Sequence, residues 1–295
     1  MNAQQREAAA AFARVQRRAT RALERAAKAG AAAASAERSS RLGPASESEN
    51  MARLAALQRG SQQRQLAVAM LNAAYAHRLR KSMEQPGDCG TAAFLAAIAG
   101  VSSGTGVVVT LSGREETDAL VAASDGPAHA AWDLERVYGE GPATDAVARR
   151  ALVRVAGELA AVWPLYGPAV GRLGVHAVSA APLCLHDRCL GSITSLDPLP
   201  DGRGPGLRAD QLADALVDAL LAGDVLADRD GLPRLPQPDD QMLIHQAAGM
   251  VAVQSGLDIP DAFALIRARA FADSQPTGAI AAQIVSRTLQ LTLPR

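Results

Sequence analysis

Three side chains that can bind metal or change redox state lie close together, at Cys184, His186 and Cys189. The segment CLHDRC joins two apolar runs and predicts a hairpin turn through Asp187 and Arg188. In that register His186 pairs with Cys189 across the ladder, and Cys184 shares their face of the sheet. Such a face offers part of a zinc or iron site, or two thiols that report redox state. A fourth ligand is not evident, so a purely structural hairpin is the third interpretation.

No other pattern in the sequence points to catalysis. The chain shows no paired carboxylates beside a base, no nucleophile elbow and no phosphate-binding loop. The turn Gly139-Glu-Gly-Pro142 lacks the lysine and the glycine spacing of such a loop. We therefore expect that the protein is not an enzyme and that it binds no cofactor.

Length and composition predict a globular protein of about two domains, since the chain has 295 residues and is 48% hydrophobic. Charge is balanced overall but not locally. Residues 1–85 carry 15 Lys and Arg against 6 Asp and Glu, a sum of +9, whereas residues 86–230 carry 10 against 19, a sum of −9. Three cysteines do not make a disulfide framework, and no signal-peptide or membrane-spanning run is present. We expect a cytoplasmic protein that does not contact membranes, and the alanine- and arginine-rich composition is typical of a bacterial source.

Residues 1–85 predict a basic helical arm. The first helix covers residues 3–29 and ends at Gly30, and a polar connector leads to a second helix that begins near Asn50 and breaks near Gly60. The predicted apolar stripes contain Phe12, Val15, Ala19, Leu23 and Ala26, then Leu54, Leu57, Leu66, Leu71, Tyr75 and Leu79. Alanine buries little area, so neither helix is stable alone and pairing is expected. The arm is either a dimerising element whose charge also touches phosphates, or a solvated tail.

Residues 86–230 mix strands with helices. Gly104–Ser112 and Asp118–Ser124 predict neighbouring antiparallel strands, and the runs on either side of the CLHDRC segment predict a second pair. An apolar helix precedes them, and the segment LRADQLADALVDALLAGD predicts a helix after them. Strands and helices do not alternate strictly, which favours an α+β fold with an antiparallel sheet.

This region contains the segments YGEGPATDAV, WPLYGPAVGRLGVHAVSAAPL, LGSITSL and LRADQLADAL. They resemble the GAF sensory domain of actinobacterial GAF-ANTAR regulators over most of residues 86–230. The resemblance implies a domain that receives a small-molecule or protein signal or mediates dimerisation. Where a GAF domain binds a small molecule, the site lies between sheet and helices, and the candidate lining residues here are Trp132, Tyr138, Trp163 and Tyr166. The same four aromatic side chains are equally suited to a hydrophobic core.

The C-terminal region predicts a three-helix bundle over residues 240–295, after a proline-rich linker at 231–239. Asp239 or Asp240 begins a helix that runs to Ser255, Asp258 caps the next, and the third follows Pro276. The complete expectation is an α+β protein with an N-terminal helical arm, a GAF-like antiparallel sheet with flanking helices, and a C-terminal three-helix bundle.

This predicted bundle contains the segments HQAAGMVAVQSG, DAFALIRARAFA and QPTGAIAAQIV. They resemble the ANTAR domain over nearly its full length. ANTAR domains are RNA-binding antiterminators, and a dimer grips two adjacent RNA hairpins in a leader transcript so that a terminator does not form. The resemblance implies the same activity and a homodimer for this chain.

ANTAR domains often have an Ala-Lys-Gly motif in their first helix, and this chain has Ala248 in place of the lysine. The remaining candidates for RNA contact are His245, Arg267, Arg269 and Arg287, and Ala248-Gly249 would allow close approach of the RNA to the backbone. With so few phosphate contacts one bundle binds weakly, and two bundles on one transcript gain affinity through effective concentration. The alternative is a non-enzymatic scaffold whose bundle no longer binds RNA.

Overall fold

The structure is a computed structural model that describes residues 3–42, 44–84, 90–111, 120–197, 206–221, 239–273, 275 and 277–291. Cys89, the predicted turn at 112–114 and the prolines of the predicted linker lie outside these residues. The described residues form two compact units. The first contains the residues up to Ser103 together with 206–221, and the second contains Gly104–Asp197 together with the residues from Asp239 onward.

Helices and strands are both well represented, which confirms the predicted α+β class. The described helices are α1 Ala3–Leu42, α2 Ala45–Glu84, α3 Gly90–Val101, α4 Gly126–Tyr138, α5 Pro142–Arg149, α6 Leu159–Val162, α7 Tyr166–Gly171, α8 Ala209–Leu221, α9 Asp239–Ser255, α10 Ile259–Asp273 and α11 Thr277–Val285. The described strands are β1 Gly106–Leu111, β2 Leu120–Ala123, β3 Val153–Ala156, β4 Ala177–Leu185 and β5 Arg188–Leu196. Within the described residues, no helix is both long enough and apolar enough to cross a membrane.

Helices α1 and α2 pair as an antiparallel hairpin, and the buried face of α1 is built almost wholly from alanine. The buried positions of α1 recur every three or four residues, as in a heptad repeat, and are Val15, Ala19, Ala22, Ala26, Ala29, Ala33 and Ala36. Near the turn, the hydroxyls of Ser40 and Ser48 each donate to the other residue's carbonyl oxygen, at 2.9 and 2.8 Å. Arg59 of α2 holds both carboxylate oxygens of Glu37 at 2.9 and 3.1 Å. The arm therefore buries its alanine seam within one chain.

The predicted boundaries inside the arm are wrong. The first helix passes through Gly30 and ends at Leu42, the second begins at Ala45 instead of near Asn50, and it is unbroken at Gly60. A glycine inside a helix costs only about 1 kcal/mol, whereas a partner helix stabilises every turn that it covers. Gly30 also lies against α2, because a methyl group added there would meet the side-chain nitrogen of Gln62 at 2.5 Å. Tertiary pairing thus outweighs the local glycine signal.

Two helices that the sequence places with the middle region, α3 and α8, pack on α2. The α3 residues Phe94 and Ile98 are buried, and the ring of Phe94 meets the ring of Tyr75 edge-on with centroids 5.1 Å apart. Ser102 and Leu207 form a parallel bridge after α3 and before α8. The first unit is therefore helical in all its described elements.

The second unit is built on a five-stranded sheet in the order β2-β1-β5-β4-β3, with every neighbouring pair antiparallel. The predicted strand pairs β1 with β2 and β4 with β5 are confirmed. Helices α4 and α5 pack on the sheet, and α7 packs on α4. Their shared core contains Val108, Trp132, Trp163, Tyr166, Val170, Val178, Ala180 and Leu196.

Helices α9, α10 and α11 form a three-helix bundle with the predicted boundaries. Gly256, with φ +66°, follows the end of α9, and the carboxylate of Asp258 accepts the N–H of Asp261 at 2.8 Å to cap α10. The core is formed by Ile244, Ala247, Ala248, Val251, Phe263, Ile266, Ile280 and Ile284. The apolar spacing of the sequence was therefore sufficient to predict this bundle.

Candidate functional site

The β4–β5 hairpin does not have the predicted register. The turn residues are His186 and Asp187, so that Leu185 pairs with Arg188 and Cys184 pairs directly with Cys189. The two cysteines form a disulfide across the hairpin, with Cα atoms 4.0 Å apart. His186 adopts the left-handed φ of +53° in the exposed turn and does not share the cysteines' position in the ladder.

The predicted register is therefore wrong, and the metal interpretation of Cys184, His186 and Cys189, one of the three left open by the sequence, loses its geometric basis. The turn lies one residue earlier in the chain than predicted, so His186 belongs to the turn and not to the strand. Only residues within the strand alternate regularly between the two faces of the sheet. Within the described residues, no group of three or more His, Cys, Asp or Glu side chains is arranged to hold a metal ion. The thiols are consumed in a disulfide.

Three of the four candidate ligand-binding aromatics lie in the core of the second unit. Trp132, Trp163 and Tyr166 are 5%, 2% and 1% exposed, and the rings of Trp163 and Tyr166 meet edge-on at 5.9 Å. Tyr138 is half-buried at the edge of that core, and its ring also lies 5.7 Å from the ring of Phe271 in α10. The one described cavity at these residues is lined by Trp132 and Tyr166 but not by Trp163 or Tyr138. The four side chains therefore do not converge on one cavity.

The space beside Trp132 and Tyr166 is a cavity of about 10 Å³, which is room for a single water molecule. Its polar lining comes from Glu135 and Thr194. Glu135 is 5% exposed, and burial raises the pKa of its carboxyl group even though the N–H of Thr144 donates to it at 2.6 Å. In the described conformation this cavity holds no small-molecule ligand of ordinary size.

The YGEGP motif, at residues 138–142, is explained by helix capping. The carboxylate of Glu135 satisfies the first turn of α5, and the carboxylate of Glu140 accepts the N–H groups of Leu165 and Tyr166 at 2.6 and 2.9 Å, before and at the start of α7. Gly141 is required by space, because a methyl group there would lie 2.6 Å from the Glu135 side chain. Glu135 thus links α4 to α5, and Glu140 links the motif to the start of α7.

The α9 candidates for RNA contact are only partly accessible. Ala248 is fully buried in the bundle core, so its side chain is not available to a ligand. Gly249 is half-buried, and nothing lies within 4 Å of the place where a side chain would begin, so its backbone is open to close approach. His245 is half-buried and its ring meets the ring of Phe263 edge-on at 5.2 Å.

The three candidate arginines differ in their surroundings. Arg287 is exposed at the end of α11, with φ +61°. Arg269 is exposed and pairs with Asp273 one turn later at 2.7 Å. Arg267 is half-buried and lies close to Arg136 of α4, whose pKa is lowered by burial first and by the positive charge of Arg267 second. Arg269 and Arg287 are thus the most accessible cations of the candidate RNA surface.

The bundle packs on α4. The N–H of Thr277, the first residue of α11, donates to the carboxylate of Asp133 at 2.5 Å. Asp133 is 3% exposed, and burial raises the pKa of its carboxyl group despite that hydrogen bond. Val137 of α4 packs against the bundle core beside it. The sheet and its helices, residues 104–197 of the second unit, are called the sheet unit below. One acidic side chain of its helix α4 therefore caps a helix of the bundle.

Asp133 and Glu135 are the polar residues that sequence reasoning missed. A sequence signal existed for Glu135, which interrupts the apolar face that Ala131 and Trp132 give to α4. Asp133 lies outside that face, and its signal is that α11 begins after Pro276, a residue without a capping side chain. A buried acid in one helix and an uncapped helix elsewhere are complementary observations.

No protein-family model, no curated protein and no solved structure matches this chain.

Proposed function

We propose that the protein is a non-enzymatic regulator that binds tandem hairpins in leader RNA through its C-terminal bundle, as a homodimer, and so controls transcription termination. In this proposal the sheet unit receives a signal, which is a small molecule or a protein. The proposal rests on the ANTAR-like and GAF-like segments of the sequence and on one structural observation. The observation is that residues 239–285 form three helices with the boundaries that the capping residues and the apolar spacing predict.

The accessible cations support this proposal. Arg269 and Arg287 are exposed, and Arg287 has no acidic partner among the described residues. Arg267 is half-buried near Arg136, so less of its surface is open to a ligand than that of Arg269 or Arg287. RNA recognition by shape and unpaired bases needs few charges, which fits a bundle with a balanced charge.

The test is binding of a labelled tandem-hairpin RNA to the full chain, measured by fluorescence anisotropy over a range of salt concentrations. We expect tandem hairpins to bind more tightly than a single hairpin, because a second bundle then binds at high effective concentration. The double variant Arg269→Gln/Arg287→Gln should lower the log–log salt slope by about 1.4, since each lost phosphate contact accounts for about 0.7. The matched control is Arg154→Gln/Arg172→Gln, which removes two exposed arginines of the sheet unit.

The outcome that contradicts the proposal is equal, weak binding of tandem, single and scrambled RNA by the wild-type chain. A loss of affinity in the control as large as in the double variant would show that net charge, and not the bundle surface, is responsible.

A second function, a protein-interaction scaffold, is favoured by the outer face of α9. This helix contains no lysine or arginine, and it exposes 64% of Met242 and 86% of Val253 on the same face as the open backbone of Gly249. An apolar, uncharged face is suited to protein contact more than to phosphates. Sedimentation of the full chain tests this alternative: Val253→Glu should weaken self-association, and the exposed substitution Gln254→Glu should not.

A further inference from the structure

A row of positive charges runs along the outside of α1. Arg17, Arg21, Arg25 and Lys28 follow one another at intervals of four, four and three residues, which places them on one face of the helix over about 16 Å. All four are exposed, and none has a hydrogen bond or ion pair with another described residue. We call these four residues the cationic row.

The cationic row is separate from the alanine seam. The seam positions Val15, Ala19, Ala22 and Ala26 are buried between α1 and α2, whereas the row lies on a neighbouring face that stays exposed in the paired hairpin. Like charges one helical turn apart destabilise a helix by about 0.2–0.5 kcal/mol per pair. Glu24, the single acid within this stretch of sequence, is three residues after Arg21 and four before Lys28, so it offsets part of this repulsion. Four cations against one acid leave a sum of +3 on this side of the helix, which points to a negatively charged partner.

The surroundings of the row decide the chemistry of that partner. An amphipathic helix that lies on a membrane needs an exposed apolar face, and the apolar face of α1 is already buried against α2. Protein interfaces depend on aromatic and other large anchors, and the sequence from Arg17 to Lys28 contains no aromatic residue. A regular polyanion needs neither feature, because backbone phosphates are bound by spaced cations without shape recognition.

We propose that the cationic row is a binding surface for the phosphate backbone of a nucleic acid. It belongs to the arm and is made of residues entirely different from the candidate RNA surface of the bundle. Binding at the row is independent of base sequence and falls steeply with salt. Because it requires no hairpin, it does not depend on antitermination.

The experiment compares two variants of the full chain that lose the same charge. The row variant is Arg17→Gln/Arg21→Gln/Arg25→Gln, and the control is Arg38→Gln/Arg41→Gln/Arg53→Gln, which removes three exposed arginines near the turn between α1 and α2. Glutamine has nearly the helix propensity of arginine, and circular dichroism confirms that both variants remain helical. The probes are a labelled RNA duplex and a labelled DNA duplex of about 20 base pairs, titrated between about 50 and 200 mM salt, with phosphatidylserine vesicles as a third probe.

We expect the row variant to lower the log–log salt slope by about 2.7 on a duplex, since three phosphate contacts at about 0.9 each are lost. Affinity at the lowest salt should fall at least about tenfold below that of the control, and RNA and DNA duplexes should behave alike.

Equal slopes in the two variants, or no duplex binding by the wild-type chain, would overturn the proposal. Vesicle binding that is lost in the row variant while duplex binding is unchanged would overturn it in favour of a membrane. A wild-type chain that prefers tandem hairpins, together with a row variant that behaves like the control, leaves the bundle's function standing and removes only the row.

Discussion

The arm and the C-terminal bundle are both helical, but they are stabilised in different ways. The α1–α2 hairpin spreads burial over two helices of 40 residues each, with alanine at nearly every seam position of α1. The bundle concentrates burial in helices of 17, 15 and 9 residues with isoleucine and phenylalanine in the core. Because buried area per residue is small on the buried face of α1 and large in the bundle, removal of a single side chain should matter little on that face and much in the bundle.

The largest effect is expected in the bundle core. Ile266 is fully buried, and Ile266→Ala should lower the free energy of opening of α9–α11 by about 2–5 kcal/mol, because both buried area and packing are lost. Hydrogen exchange with mass spectrometry measures this opening locally. The control is Val253→Ala, which is 86% exposed and should change the value by less than about 0.5 kcal/mol. Similar effects of the two substitutions would contradict the concentrated core.

In the arm, enlarging a side chain should be more harmful than removing one. Ala33 is fully buried in the seam, and Ala33→Leu should destabilise the hairpin by about 1–3 kcal/mol because the closely packed helices have no room for the added carbons. Ala32→Leu places the same side chain on the exposed side and should be nearly neutral. Chemical unfolding followed by circular dichroism measures both, and an equal response would rule out a tight alanine seam.

The bundle also has a helix cap supplied by another element. Asp133→Ala removes the acceptor for the N–H of Thr277 and should cost about 1 kcal/mol, seen as faster exchange in α11. Asp125→Ala removes a cap of similar geometry from the start of α4, at 2.8 Å from the N–H of Ala128, and should act on α4 itself. Unchanged exchange in α11 of the Asp133 variant would show that the cap does not hold the bundle.

The smallest effect concerns pH. Burial raises the pKa of Asp133, so the folded protein binds this proton more tightly than the unfolded chain does. The free energy of unfolding should therefore fall as pH rises from the ordinary carboxyl range through the raised pKa. Asp133→Asn keeps an oxygen acceptor but removes the titrating group. The free energy of unfolding of the wild type should therefore rise relative to that of the variant as pH is lowered. Urea unfolding at several pH values checks the sign, and the opposite slope of this difference would contradict it.

Periodic patterns in the sequence were enough to predict the bundle and the strand pairs. The spacing of Ile244, Val251, Ile280 and Ile284 marks buried helix faces, and Asp258 and Gly256 mark helix ends. These signals are local, so they depend little on the remainder of the chain.

Features that depend on partners distant in the sequence were not predictable in the same way. The local sequence at Gly30 predicts the end of a helix. The helix continues because α2 packs against α1 on both sides of this residue. Leu23, Leu54 and Leu57 read as seam residues but are 54%, 42% and 71% exposed, because alanine occupies the closely packed seam instead. The hairpin register at His186 depended on one residue of turn placement, and that residue decided between a metal set and a disulfide.

The repetitive seam of α1 leaves the hairpin with little internal information about alignment. Sliding one helix by seven residues would again set alanine against the partner at most positions, so the reciprocal Ser40–Ser48 contacts and the Arg59–Glu37 fork are the features that select a single alignment. Insertion or deletion of one heptad in both helices, away from these contacts, should consequently be tolerated. The arm is in this sense a spacer of adjustable length, whose reach evolution or an engineer can change in steps of about 10 Å without redesigning its packing.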